Sequence, residues 1–153
     1  MLILFKEGYG SCTTKHEVIA TLAQELNIPV YKMIGIYAMN EELVSGTQQI
    51  LEKHKLPYLP MIHCFLLYNS QYVDLTSGNN NGKNKEVTEF LYTEKVQSNI
   101  SEKDEYMLYK NVLKNHILQR KEMAGITMVQ LLHARSEGIA LLRSKVPNYR
   151  SQK

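Results

Sequence analysis

The sequence predicts an α+β fold, with a small antiparallel sheet early and helices late, and three observations carry that prediction. Apolar residues recur at helical spacing after Ser11 and again after Ser101. Between these stretches lie short runs rich in β-branched and aromatic residues. Two of those runs are separated by a tight turn signal, too short for a crossover helix. With 153 residues and 44% hydrophobic content, the chain has the length of one ordinary domain and enough apolar material for a core. The expectation is one domain over 1–153, with residues 1–100 as its core and 101–153 as a helical C-terminal extension.

From Ser11 to Asn27, the residues Val18, Ile19, Leu22, Ala23 and Leu26 form an apolar helical stripe. Asn27 and the Ile28-Pro29 step end it. Its start has two candidates: Ser11 as N-cap, or Thr14 with Glu17 as a capping box, and both leave Cys12 within a turn of the helix N-terminus. "VYKMIGIYAM", Val30 to Met39, reads as a strand. A polar helix is expected from about Glu41 to His54, closed by the extended connection "LPYLP". "MIHCFLLY", the turn Asn69-Ser70 and "QYVDLT" read as a β-hairpin. "SGNNNGKNK", Ser77 to Lys85, has the composition of a mobile loop, and "VTEFLYTEKV" reads as a further strand. One helix starts at Ser101 and runs through Tyr106, Tyr109, Val112, Leu113 and Ile117. Another starts at Thr127 and runs through Leu131, Leu132, Ile139 and Leu142.

Charge narrows the function classes. Eighteen basic against 15 acidic residues leave a net +3, with part of the excess in the final "RSKVPNYRSQK". No basic face with interleaved aromatic platforms is present, which argues against a nucleic-acid partner. "MLILF" is too short for a signal-peptide core and no run has the length of a bilayer span, so the expectation is a cytoplasmic chain without a membrane partner. Cys12 and Cys64 are then read as thiols rather than as a disulfide.

The hairpin turns this pattern into a candidate site. His63, Phe65 and Leu67 share one strand face, while Ile62, Cys64 and Leu66 share the other. A two-residue turn at Asn69-Ser70 places Phe65 opposite Asp74 and makes Asp74 the diagonal, same-face neighbour of His63 at about 7–8 Å. A one-residue slip would put Asp74 on the wrong face. A carboxylate bonded to one imidazole nitrogen fixes the tautomer and leaves the other to take a proton. Cys12 supplies the thiol, and the positive end of its helix favours thiolate and offers N–H groups to an oxyanion. A zinc site of Cys12, His16, His63 and Cys64 fails on parity, because His63 and Cys64 point to opposite faces. The residues call for no metal or cofactor. His16, His54, His116 and His133 read as helix-surface or partly buried residues, Cys64 as a core thiol, and Tyr58, Tyr68 and Tyr72 as weak candidates for a peptide groove.

"GSC" at a helix start, followed by "LNIPVYKMIGIY" and "IHCFLLYNSQYVDLT", resembles the transglutaminase-like superfamily over roughly residues 8–80. The resemblance implies a papain-like core in which the cysteine helix packs on a small antiparallel sheet, with Cys12 as nucleophile, His63 as base and later acid, and Asp74 as orienter. It implies acyl transfer or hydrolysis on a peptide or protein amide through a Cys12 thioester, of protease, amidase or transglutaminase type. The alternative is a catalytically degenerate scaffold of the same family that binds a peptide or protein partner. Its motive is that eleven residues precede Cys12 where the family usually carries a helical segment.

Overall fold

Ser11 opens the first helix, α1 (Cys12–Glu25): its side chain accepts from the Thr14 N–H at 3.2 Å, so Cys12 is the first helical residue. The computed structural model describes residues 10–76 and 81–146. The apolar opening "MLILF", positions 77–80 of the glycine- and asparagine-rich loop and the basic end beyond 146 lie outside the described residues. After α1 come β1 (Tyr31–Met39), α2 (Thr47–His54), β2 (Leu59–Tyr68), β3 (Gln71–Val73), β4 (Tyr92–Val96), α3 (Glu102–Val112) and α4 (Met128–Ser144). The fold is mixed α+β: a four-stranded antiparallel sheet in the order β3-β2-β1-β4 and, among the described residues, four α-helices.

The β2–β3 hairpin adopts the register its turn dictates. Asn69 and Ser70 both have left-handed φ, 47° and 62°, as a type I′ turn requires. The pairs Tyr68–Gln71, Leu67–Tyr72 and Leu66–Val73 follow. β3 ends at Val73, so among the described residues no strand lies beside the edge of β2 next to Cys64.

Three elements differ from the sequence expectation. The buried face of α1 is rotated from the expected apolar stripe: Val18 and Ala23 of that stripe are buried, but Ile19, Leu22 and Leu26 are exposed, and His16 and Ala20 are buried in their place. The small Ala20 and Ala23 let the helix lie close to the sheet, and His16 is held inward by hydrogen bonds at both ring nitrogens. α2 begins at Thr47 rather than near Glu41, because Gly46 sits at φ +92° and the Glu41 carboxylate folds back to accept from the N–H groups of Gly46 and Gln48. The last strand is only Tyr92–Val96. The residues before it leave the sheet plane so that the Phe90 ring can lie against Gly35, and this needs the missing side chain: a Cβ there would fall 2.2 Å from that ring.

The C-terminal third is part of the core rather than an appendage to it. Tyr109 of α3, Leu113 and Ile117 of the π-helical turn that continues α3, and Leu131 and Ala134 of α4 are all fully buried. Tyr109 donates from its hydroxyl to the Pro60 carbonyl at 2.8 Å, on the β2 edge where a strand proline is tolerated. Gly138 of α4 packs directly on Leu59 and Met39: a Cβ there would come 2.5 Å from a Leu59 methyl, so Leu59 would have to shift to admit a side chain. Among the described residues, no helix is long and apolar enough to cross a membrane.

Candidate functional site

Asp74, one residue past the end of β3, reaches back to His63, and its Oδ2 lies 2.7 Å from the imidazole Nε2. Its other oxygen, Oδ1, accepts from the Thr76 N–H at 2.8 Å and the Thr76 hydroxyl at 2.6 Å, which locks the carboxylate. His63 is buried to 1% exposure, ring-stacked with Phe90 at 6.5 Å and edge-on to Tyr37 at 6.3 Å. With Nε2 committed to Asp74, Nδ1 is the nitrogen left to meet Cys12, and the thiol and the imidazole each shift the other's ionisation toward its charged form. The structure therefore brings Cys12, His63 and Asp74 together, with Cys12 partly exposed at the first position of α1.

Cys64 and His63 both touch Cys12, although they point to opposite faces of β2. The explanation is that Cys12 sits at the edge of the strand rather than over one face. In a hairpin closed by a two-residue turn, Tyr68 and Gln71 form a hydrogen-bonded pair, so the even-numbered residues of β2 direct their N–H groups to the β3 side. Among the described residues that side is open beyond Val73, and the Cys64 N–H acts on the Cys12 sulfur from there, favouring its thiolate. The Cys64 thiol bonds to it as well and also lies 3.3 Å from the Thr13 hydroxyl. Cys64 is thus a buried thiol that takes part in the site, a role beyond core filling.

The electrostatics follow from these contacts. Hydrogen bonding from the Cys64 thiol, opposed by burial and assisted by His63, holds the Cys12 thiol well below its ordinary range. The proton stays on Cys64, whose own ionisation is pushed far up by the neighbouring Cys12 and by burial. Burial works against the charged form of His63, but the hydrogen bonds to Asp74 and Cys12 outweigh it and raise the imidazole above its usual value. For Asp74, burial is likewise outweighed by His63 and Thr76, and the carboxyl is held far below the usual carboxylate range. The arrangement favours thiolate beside imidazolium. The first intrahelical bond of α1 is Lys15 N–H to Ser11 carbonyl, so the N–H groups of Cys12 and Thr13 precede the ladder and are placed to face an anion.

The depressed Asp74 ionisation has a consequence for stability. A carboxyl with a lowered folded-state value stabilises the fold above its unfolded value, near pH 4, and loses that contribution as pH falls toward the folded value. Denaturant titrations below pH 4 are expected to show a shallower acid-side loss for Asp74→Asn than for the parent chain. Parallel acid limbs would contradict the assignment.

His16 is the residue that sequence reasoning placed wrongly. It is fully buried; its Nδ1 donates to the Cys12 carbonyl at 2.7 Å, its Nε2 accepts from the Leu75 N–H at 2.9 Å, and Asp74 Oδ1 lies 3.5 Å away. Burial keeps its ionisation below the ordinary value. As a neutral ring, His16 ties the first turn of α1 to the Asp74 segment. The i to i+4 spacing of Cys12 and His16 was a visible signal, but it says nothing about Leu75. His54 instead meets Glu137 at 2.9 Å, and His116 lies against the Tyr92 ring at 4.7 Å. A cavity of about 640 Å³ lies at the other end of α1, between Gln24, Pro29, Lys32 and Ser98, away from Cys12. Compared with models of protein families, with curated proteins and with solved structures, the chain finds no match.

Proposed function

We propose that this protein is a cysteine-dependent acyl-transfer enzyme with a transglutaminase-like, papain-like core, acting on a peptide-like amide through a thioester on Cys12. The single observation that supports this reading best is the junction of three elements at one point: the start of α1, the β2 residue His63 at 2.7 Å from Asp74, and a Cys12 thiol whose ionisation that imidazole helps to lower. In the proposed sequence, the Cys12 sulfur attacks the amide carbonyl carbon and the N–H groups at the helix start receive the oxyanion. His63 then gives its Nδ1 proton to the departing amine as the C–N bond breaks. Water or a second amine attacks the thioester while His63 takes the proton back, and the thiolate leaves. Asp74 holds the ring in the productive orientation throughout.

The pH dependence of iodoacetamide labelling at Cys12 tests this reading. The rate is expected to reach half its maximum well below pH 8.5, the ordinary midpoint of about 8.5 for a free thiol. Cys64→Ala and His63→Ala should each move that midpoint up. A scaffold that binds a peptide without turnover has no need of such a thiol. A Cys12 that titrates like a free cysteine and ignores both substitutions would remove the enzyme reading.

A further inference from the structure

Lys83 is a cation at the site that the proposed chemistry does not use. A chain of hydrogen bonds fixes its place: Asp74 Oδ1 accepts from Thr76, the Thr76 carbonyl accepts from the Asn81 amide at 3.0 Å, and Asn81 Oδ1 accepts from the Lys83 N–H at 3.0 Å. Gly82, between them, is held at φ +82° against α4, where a Cβ would come within 2.8 Å of the Leu142 carbonyl. The backbone that carries Lys83 is therefore anchored to the orienting carboxylate on one side and to a core helix on the other.

The side chain is partly buried, and among the described residues its ammonium has neither a hydrogen bond nor an ion pair. It is close enough for its charge to be felt at His63, while the charges of Cys12 and Asp74 act on it in return. An ammonium has three donors and stays bare in a partly desolvated position only at a cost. Asp74 does not answer it: its oxygens are turned to His63 and Thr76, and its ion pairs are with His63 and His16. A group brought in with the substrate can.

We propose that Lys83 is a specificity-determining residue that binds a carboxylate on the acyl donor, so that the substrates of the Cys12 site are acidic peptide-like amides. This rests on the reading of Cys12 as nucleophile, and the test separates the two. Iodoacetate and iodoacetamide transfer nearly the same group: the Cys12 sulfur bonds to the methylene carbon as iodide leaves with the C–I electron pair. They differ in whether a carboxylate stands beside that carbon. Both rates are measured on the full chain at a pH where iodoacetamide labelling of each variant has reached its plateau, so differences in thiolate fraction drop out.

The ratio of iodoacetate to iodoacetamide rates is expected to be higher for the protein than for a free thiol. It should fall about tenfold in Lys83→Met, what one unit charge at close range supplies in a partly buried site. Lys83→Arg should keep most of it, which guards against a methionine variant that folds poorly. A ratio unchanged by Lys83→Met, or equal slowing of both reagents, overturns the proposal while leaving the nucleophile in place. A Cys12 that reacts with iodoacetamide like a free thiol, yet with a ratio that depends on Lys83, overturns the enzyme reading and keeps the carboxylate site.

Discussion

Asp74→Asn is expected to leave the fold in place and lower thiol-dependent hydrolysis of an activated acyl donor, such as a p-nitrophenyl ester, by about four orders of magnitude. The size of the effect follows from how Asp74 is held. One carboxylate oxygen is taken by the N–H and hydroxyl of Thr76, at 2.8 and 2.6 Å, and the other faces His63 Nε2 at 2.7 Å. Asparagine keeps its oxygen where Thr76 donates and must then turn its NH₂ toward Nε2. A donor in that position forces the ring proton onto Nδ1, the nitrogen that has to accept from Cys12, and it withdraws the negative charge that stabilises imidazolium. Nitrogen chemical shifts of the ring would report the exchanged tautomer directly. A variant with near-parental turnover, or one whose ring keeps its proton on Nε2, would show that Asp74 does not orient His63.

Gly35→Val is expected to produce the largest loss of stability from a single small substitution. Gly35 pairs with His63 across β1 and β2 and carries the Phe90 ring directly on its backbone, 2.2 Å from where a Cβ would stand. That ring also packs on Phe65 at 4.7 Å and covers His63. Overpacking of this kind costs roughly 1–3 kcal/mol, and more where the ring is expelled, since truncating a buried phenylalanine costs about 3–5 kcal/mol. Denaturant unfolding should place the midpoint correspondingly lower. The partner in the clash is identified by Gly35→Val combined with Phe90→Ala, which should be less destabilised than the sum of the two single changes. Additive losses would mean that Phe90 is not what excludes a side chain at position 35. Since Phe90 lies over His63, the single valine variant should also expose the imidazole, relieve the burial that works against its charged form and raise its ionisation further.

What the sequence determined by itself was whatever a short repeat length governs. The two-residue turn at Asn69-Ser70 set the pairing of β3 with β2, and strand alternation then put Asp74 and His63 on one face, because side-chain direction repeats every two residues and admits no intermediate register. Ser11 likewise announced the helix start that holds Cys12, since a cap is a local bond between residues three apart. Helical spacing alone left open which way α1 would turn. Its apolar stripe suggested Val18, Ile19, Leu22, Ala23 and Leu26 as the buried face, and the tertiary structure kept Val18 and Ala23 but chose His16 and Ala20 over Ile19, Leu22 and Leu26, because close approach to the sheet favours small residues and the Cys12 carbonyl and the distant Leu75 N–H hold the His16 ring. The remaining features of the site were decided only by folding. Cys64 meets Cys12 because β3 stops at Val73 and, among the described residues, no strand continues along that edge of β2, His16 finds the backbone of Leu75 59 residues away, and Lys83 arrives through a loop pinned at Asn81 and Gly82. Each is a contact between segments whose separation carries no periodic signal, and such contacts are set by packing over the whole core rather than by any local pattern.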